Sequence, residues 1–236
     1  MEVANRIVAE ILEEVKSQAR PGVETRELDE LAEACCRKHK VKPAFKGYRG
    51  YSHSLCIAVN DEVVHGIPGP RQLKDGDLVS LDFGVLRDGF YGDAAITVPV
   101  GEVTPQAQQL VKATEESLYA GIGELKVGGR LSDVSHAVQA TVEGYGFSVI
   151  RQFVGHGIGR ALHEDPQIPN FGPKGKGPAL KPGMTLAIEP MTSAGSWEVR
   201  ILEDGWTAVT EDGSLAAHFE HTVALTENGV LILSRL

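Results

Sequence analysis

Cysteine is scarce in this 236-residue chain, which contains only Cys35, Cys36 and Cys56. An odd number with two adjacent residues argues against a disulfide framework, and the absence of a Cys-x-x-Cys pair argues against a zinc knuckle. Apolar runs of about 18 residues are also missing, so no transmembrane helix is expected. The first residues lack the basic and then apolar order of a signal peptide. We therefore expect a cytoplasmic protein without a membrane partner.

Positive charge is sparse as well. The formal net charge is -9, and no basic stretch exceeds a few residues. Such a chain is a poor candidate for direct binding to nucleic acid or to an anionic membrane. The apolar fraction of 42% and the charged fraction of 23% are ordinary for a globular protein, and the length allows a substantial core.

Helical and strand patterns recur in the same order along the chain. Apolar residues at helical spacing predict helices over 4–18, 25–38, 105–122 and 131–143. Thr25 is expected to be the N-cap of the second helix, and the stretch 164–182, rich in proline and glycine, is expected to be a loop. Strand patterns lie at 54–64, 78–85, 90–100, within 145–154, and near 185–191, 198–202, 207–210 and 217–225.

The second half of the chain repeats the first. Residues 73–82 match residues 180–189 at an offset of 107, which aligns Asp82 with Glu189. Chance similarity of amphipathic patterns is the alternative, but helix, helix and hairpin recur in one order. We therefore predict an α/β (α+β) protein with one domain, 1–236, whose pseudo-symmetric halves span about 1–102 and 103–236.

Two carboxylates are expected to be neighbours in the first half. If Asp88-Gly89 is a two-residue hairpin turn, residue 82 lies opposite 95, and 84 opposite 93. Asp82 and Asp93 then share one face, about 7 Å apart at their Cβ atoms. A three-residue loop would break this parity. Two carboxylates on an apolar hairpin are either exposed to solvent, share a proton or bind a cation.

Three residues of the second half extend this acidic pair. Glu189 is aligned with Asp82, Glu220 belongs to the last long strand, and His156 lies between two glycines that leave its ring accessible. One imidazole with several carboxylates suits Mn(II), Fe(II), Co(II) or Zn(II). Four negative charges balance two divalent ions better than one, and two ions can activate a water and polarise a carbonyl.

Six segments of the chain resemble, in order, the motifs of type I methionine aminopeptidases. They are Val64-His65-Gly66-Ile67-Pro68, Leu81-Asp82-Phe83 with Gly92-Asp93, Gly155-His156-Gly157-Ile158-Gly159, Leu162-His163-Glu164-Asp165-Pro166, Ile188-Glu189-Pro190-Met191 and Phe219-Glu220-His221-Thr222. The resemblance implies a pita-bread fold, in which a pseudo-twofold antiparallel sheet carries helices on its outer face.

The same resemblance assigns the site residues. The ligands of two divalent ions would be Asp82, Asp93, His156, Glu189 and Glu220, with Asp93 and Glu220 bridging both ions. Glu189 is the candidate proton acceptor, His163 would stabilise the tetrahedral intermediate, and His65 would deliver a proton to the departing amine. The substrate pocket would be formed by Tyr48, Tyr51, Cys56 and Trp206, and Phe45 and Leu162 belong either to it or to the core.

The implied activity is removal of the initiator methionine from nascent polypeptides that carry a small second residue. The implied partners are nascent N-termini at the ribosome, and the implied state is a monomer. Only 25 residues separate His163 from Glu189, too few for the insertion of type II relatives. One alternative is an Xaa-Pro peptidase of the same fold, which usually has an additional N-terminal domain. Another is a non-enzymatic pita-bread binding protein, in which ligands are typically lost.

Overall fold

Four helices form two consecutive pairs in the computed structural model, which describes residues 1–236. They are α1 (Glu2–Gln18), α2 (Thr25–His39), α3 (Pro105–Gly123) and α4 (Leu131–Gly144). All four predicted helices are confirmed, with ends that differ by one or two residues. None of them combines the length and the apolar character that crossing a membrane requires.

The predicted N-cap of α2 is wrong. Glu24 occupies that position, and it forms a capping box with Glu27, whose carboxylate accepts a hydrogen bond from the Glu24 amide at 2.7 Å. Thr25 is the first helical residue. Its hydroxyl donates instead to the carbonyl of Gly69 and so holds the loop that follows β3 against the start of the helix.

Fifteen strands accompany the helices. Those of the first half are β1 (Lys42–Pro43), β2 (Leu55–Val59), β3 (Glu62–Val64), β4 (Leu78–Arg87) and β5 (Phe90–Pro99). Those that follow are β6 (Ser148–Val149), β7 (Gly155–Gly157), β8 (Glu164–Ile168), β9 (Thr185–Ile188), β10 (Met191–Ser193), β11 (Val199–Ile201), β12 (Ala208–Thr210), β13 (Ala216–His218), β14 (Glu220–Thr226) and β15 (Gly229–Ile232).

Nine of these strands form one antiparallel sheet. Its order is β1-β4-β5-β14-β9-β7-β8, with β2 also paired to β4 and β15 to β14. Strands β5 and β14, one from each half of the chain, are neighbours at its centre. Two small sheets, β13-β10-β6 and β11-β12-β3, complete the fold.

The β4–β5 hairpin has the predicted register. Asp82 lies opposite Ala95 and Gly84 opposite Asp93, because the strands are joined by a two-residue turn. Both turn residues have positive φ, +51° at Asp88 and +78° at Gly89, as a type I′ turn requires.

The helices cover one face of the large sheet. Side chains from α1 and α2 pack with alternate residues of β4, including Leu81 and Phe83, in one core cluster. Residues from α3 and α4 pack in the same way on Leu186 and Ile188 of β9. Since side chains alternate along a strand, Asp82 points to the opposite face, here called the inner face.

Four strand predictions need correction. The stretches near 185–191 and 217–225, each expected to be one strand, are divided into β9 and β10 and into β13 and β14, and the members of each pair belong to different sheets. The expected loop at 164–182 begins with β8, which pairs with β7 although it contains Pro166. Proline is tolerated there because β8 is an edge strand. The single strand expected at 54–64 is divided by a turn at 60–61, after which β3 joins a different sheet from β2.

Candidate active site

Asp82 and Asp93 are neighbours on the inner face of the hairpin. One oxygen of each carboxylate, Oδ1, is buried and has no hydrogen-bond partner. Burial raises the pKa of Asp82 to about 7. Burial, with repulsion from Asp82, also raises the pKa of Asp93 well above its usual range. The pair is therefore unstable as two bare anions.

Two carboxylates of the second half face this pair. Glu220 is the first residue of β14 and lies opposite Ala95 of β5, while Glu189 directly follows β9. The side chain of Asn170 donates to the Glu189 carbonyl at 2.9 Å and so holds the backbone at this strand end. Burial is the main cause that raises the pKa of both glutamates, and the other carboxylates add repulsion.

His156 joins the carboxylates from strand β7. Its Nε2 lies 3.3 Å from Oε1 of Glu189, and its Nδ1 lies 2.9 Å from the Gly157 carbonyl. The residue is buried within strand β7, so the expectation that its flanking glycines leave the ring accessible is wrong. The glycines serve close strand packing instead, because a Cβ at Gly155 would lie 2.4 Å from the Ala187 carbonyl oxygen.

The five predicted ligands line one cavity of about 150 Å³. Potential ligand atoms of Asp93, His156 and Glu220 lie within 4.8 Å of one another. Oε1 of Glu220, like the Oδ1 atoms of the two aspartates, is buried without a partner. Unpartnered buried carboxylate oxygens beside an imidazole are a donor set that divalent cations satisfy, so these residues fit a metal site.

His163 lies at the mouth of the same cavity, where Tyr48 holds it. The Tyr48 hydroxyl lies 2.8 Å from Nδ1 of His163, and the two rings are stacked with centroids 5.2 Å apart. Burial, followed by the charges of His156 and Arg49, lowers the pKa of His163 to about 4. The ring is therefore neutral at pH 7. If the hydroxyl donates to Nδ1, the ring proton lies on Nε2.

His65 lines the cavity from an uncommon backbone conformation. Its φ is +61°, in the left-handed region that costs a non-glycine residue about 1 kcal/mol. Phe153 packs edge-on against its ring at 5.4 Å. The next residue must be glycine, because a Cβ at Gly66 would lie 2.0 Å from the Ile57 carbonyl oxygen. Retained strain of this kind is frequent at functional sites.

The predicted pocket residues line the cavity together. The Tyr51 ring meets Trp206 edge-on at 5.2 Å, and its hydroxyl donates to the Gly66 carbonyl at 2.8 Å. Cys56 lies opposite Asp82 in the β2–β4 pair, and burial raises the pKa of its thiol. Phe45 and Leu162 also line the cavity, so both belong to its wall.

Two residues near the cavity were not predicted from the sequence. Arg49 lines it from a short turn in which its φ is +50°, a geometry that no sequence pattern signals. For His218, which lies outside the six motifs, the sequence indicates only a position at the surface or behind the ligands, where it could orient one of them. It is buried with Nε2 3.8 Å from Oε2 of Glu189, and burial lowers its pKa to about 3.

Comparison with known proteins identifies the class that this fold and site define. A sequence model of metallopeptidase family M24 matches residues 1–227. The chain belongs to metallopeptidase family M24.

Within the family, the relatives with high identity are methionine aminopeptidases. Methionine aminopeptidase 1 of Bacillus subtilis is 55% identical over 236 residues, which cover 100% of this chain and 95% of that protein. The crystal structure of the Thermotoga maritima methionine aminopeptidase superposes with a TM-score of 0.99 at 53% identity, covering 100% of this chain and 95% of that one.

A more distant neighbour shares the fold alone. The prolidase of Pyrococcus furiosus superposes with a TM-score of 0.81 at 22% identity, covering 100% of this chain and 63% of that one. Both neighbours confirm the pita-bread fold expected from the sequence.

Proposed function

We propose that this chain is a metal-dependent aminopeptidase that removes the initiator methionine from polypeptides. The observation that carries the proposal is the convergence of four carboxylates and one imidazole in a cavity walled by aromatic side chains. The relatives support this function over the Xaa-Pro alternative, because 55% identity to a methionine aminopeptidase extends over the whole chain. Retention of all five candidate ligands argues against a non-enzymatic binding protein.

The ligands of two divalent ions are, in this proposal, Asp82, Asp93, His156, Glu189 and Glu220. The four carboxylates that line the cavity carry enough negative charge to balance two such ions. When bound, the ions supply Lewis-acid polarisation of the scissile carbonyl and a reactive water at neutral pH. The donor set admits Mn(II), Fe(II), Co(II) and Zn(II) alike.

Three side chains of the cavity have proposed roles in the reaction beyond holding the ions. Glu189 is the proposed general base, which accepts the proton of the attacking water. His163 donates a hydrogen bond from Nε2 to the carbonyl oxygen as it gains negative charge, and Tyr48 keeps the ring in that orientation. His65, which lines the same cavity, relays the proton that Glu189 has accepted to the departing amine. General acid–base catalysis of this kind contributes about 10²–10⁴-fold.

The cavity wall accounts for the preference for methionine. Tyr51, Cys56 and Trp206, with Phe45 and Leu162, present an apolar and polarisable surface to a thioether side chain. Aromatic rings add favourable contacts with sulfur, worth about 0.3–1.5 kcal/mol each. A cavity of about 150 Å³ admits one side chain, and we propose that it accepts substrates with a small second residue.

The proposed partners are the N-termini of nascent chains at the ribosome, which places the reaction in the cytoplasm. A monomer is sufficient, because every residue of the site belongs to one chain.

Peptide hydrolysis with and without metal ions tests the proposal. The purified protein is freed of metal with a chelator, reloaded with Mn(II), Fe(II), Co(II) or Zn(II), and given Met-Ala-Ser or an Xaa-Pro peptide. We expect methionine release from Met-Ala-Ser only after reloading, and no cleavage of the Xaa-Pro peptide. Cleavage confined to the Xaa-Pro peptide, or release that a chelator leaves unchanged, would reject the proposed activity.

A further inference from the structure

Two fully buried polar side chains outside the ligand set contact the backbone of Asp93. Asn5 comes from α1 and Thr222 from β14, and each is 0% exposed. Buried polar groups in a sheet core are costly unless they satisfy another group. Their burial therefore indicates that they serve as hydrogen-bond partners of the Asp93 backbone.

The backbone of Asp93 lacks a strand partner on one side. The amide of Tyr91 points away from β4, since it donates to the Gly159 carbonyl at 2.8 Å. Two residues later, the amide and carbonyl of Asp93 point to the same edge of β5. The β5–β14 pairing covers only Ala94 and Ala95 on that edge. Asp93 lies just beyond it, so its amide and carbonyl need partners from side chains.

Asn5 supplies the acceptor for the Asp93 amide. That amide donates to Oδ1 of Asn5 at 3.3 Å, and Nδ2 of Asn5 donates to the Met1 carbonyl at 3.1 Å, which fixes the orientation of the side chain. Helix α1 can approach this closely because residue 92 is glycine. A Cβ at Gly92 would lie 2.9 Å from the backbone nitrogen of Asn5.

Thr222 supplies the donor for the Asp93 carbonyl. Its hydroxyl donates to that oxygen at 2.7 Å, and its own amide donates to the Ser234 hydroxyl at 3.1 Å. Thr222 lies two residues after Glu220, so both side chains point to the same face of β14. One hydroxyl thus connects the backbone that carries Asp93 to the strand that carries Glu220.

We propose that Asn5 and Thr222 are positioning residues that fix the Asp93 carboxylate relative to that of Glu220. The proposal rests on the metal site proposed above, in which these two carboxylates bridge the ions. Neither residue lines the cavity that contains the five proposed ligands. Both act through the peptide units on either side of Asp93, which leaves its carboxylate free to bind metal. Loss of a residue that hydrogen-bonds to a metal ligand without binding the metal typically lowers metal affinity about 10–100-fold.

Hydroxyl removal at Thr222 tests the proposal, with metal affinity as the readout. Thr222→Val keeps the shape of the side chain and removes the hydroxyl, whereas Thr222→Ser keeps the hydroxyl. Thr114→Val is the matched control, because the Thr114 hydroxyl is also fully buried and hydrogen-bonded, but to Leu110 and Thr192. Affinity for Mn(II) is measured by calorimetry, alongside kcat and KM on Met-Ala-Ser.

We expect Thr222→Val to weaken Mn(II) binding about 10–100-fold and to lower kcat more than KM rises. Thr222→Ser and Thr114→Val should stay within about threefold of the wild type. Wild-type affinity in Thr222→Val, or an equal loss in Thr114→Val, overturns the proposal. If Thr222→Val does not fold, Asn5→Ala carries the same expectation and the same contradiction.

Amide hydrogen exchange in the metal-free protein separates this inference from the proposed function. We expect the Asp93 amide to exchange faster in Asn5→Ala than in the wild type, because its acceptor is removed. A wild type that binds no Mn(II) would refute the metal site, yet faster exchange would still support the role of Asn5 in holding the backbone. Unchanged exchange together with tight wild-type metal binding would reject the inference alone.

Discussion

The two halves of the chain present their equivalent carboxylates in different ways. Asp82 lies in the middle of β4, which forms ten residue pairs with β5. Glu189 lies one residue beyond β9, which forms only four pairs with β14. The first half therefore holds its ligand in a rigid hairpin. The second half ends its strand early, and the irregular backbone there lets His156 and His218 approach either oxygen of Glu189.

This difference indicates a division of labour between two sequence-equivalent positions. The carboxylate in the regular strand has no partner for Oδ1 and is suited to hold an ion. The carboxylate at the strand end has an imidazole near each oxygen and is suited to exchange a proton. Four predictions test this comparison, in order of decreasing expected effect.

Removal of either carboxylate at the β5–β14 junction, Asp93 or Glu220, should abolish the function to which both halves of the chain contribute. Asp93→Ala and Glu220→Ala are expected to eliminate metal binding and turnover alike, because each removes a proposed bridging ligand. Metal content by elemental analysis and methionine release are the measurements, with the exposed Glu30→Ala as control. An Asp93→Ala enzyme that keeps two ions and full turnover would show that this ligand assignment is wrong.

Neutral isosteres at the two equivalent positions should separate their roles. Asp82→Asn removes the charge of a proposed ligand, so we expect it to weaken metal binding more than the about 10–100-fold typical of residues that only support a ligand, and to recover much of its turnover at high metal concentration. Glu189→Gln is expected to lose about 10²–10⁴-fold in kcat even when saturated with metal, because the proton acceptor is gone. Titration of activity against Mn(II) distinguishes the two. Full recovery of Glu189→Gln at high Mn(II) would contradict its proposed role as base.

Loss of the Asp82 proton should make the metal-free protein less stable as pH rises. The folded pKa is about 7 and the ordinary value 3.8, so between these values the folded state retains a proton that the unfolded chain has lost. This contribution to the free energy of unfolding is complete below pH 3.8 and is lost as pH rises through 7. Urea unfolding in chelator should show Asp82→Asn gaining roughly 2 kcal/mol on the wild type between pH 5 and 7.5. Parallel pH profiles would contradict the raised pKa.

Loss of the Tyr48 hydroxyl should produce the smallest effect. Tyr48→Phe keeps the ring that stacks on His163 but removes the hydrogen bond to Nδ1, so we expect kcat to fall about tenfold with little change in metal affinity. Tyr145→Phe is the control, because its hydroxyl bonds to Glu116 on an exposed surface. An equal loss in both variants would show that His163 does not depend on this contact.

The sequence alone was sufficient where local geometry determines position. The two-residue turn and the period of two predicted the register of Asp82 and Asp93 without any relative. The four helices were predicted from the same kind of local pattern, and the pita-bread fold was predicted from resemblance.

Long-range pairing explains most of what the sequence did not reveal. His218 comes from β13 and lies beside Glu189, although β13 and β9 belong to different sheets. No local sequence pattern encodes how two sheets are placed against each other. Strand β8 was missed because its proline is acceptable only at an edge, and edge position depends on the whole sheet. Thr25 was assigned as a cap because threonine is a common N-cap, whereas the capping box of Glu24 and Glu27 prevailed.

The short pairing between β5 and β14 has a mechanical consequence. Only two residue pairs connect these strands, whereas ten pairs hold the hairpin beside them. Asp93 and Glu220 lie at this narrow junction, one on each side, so an ion shared by them would cross-link the halves of the sheet. Substrate hydrolysis and the cohesion of the molecule would then depend on the same ions.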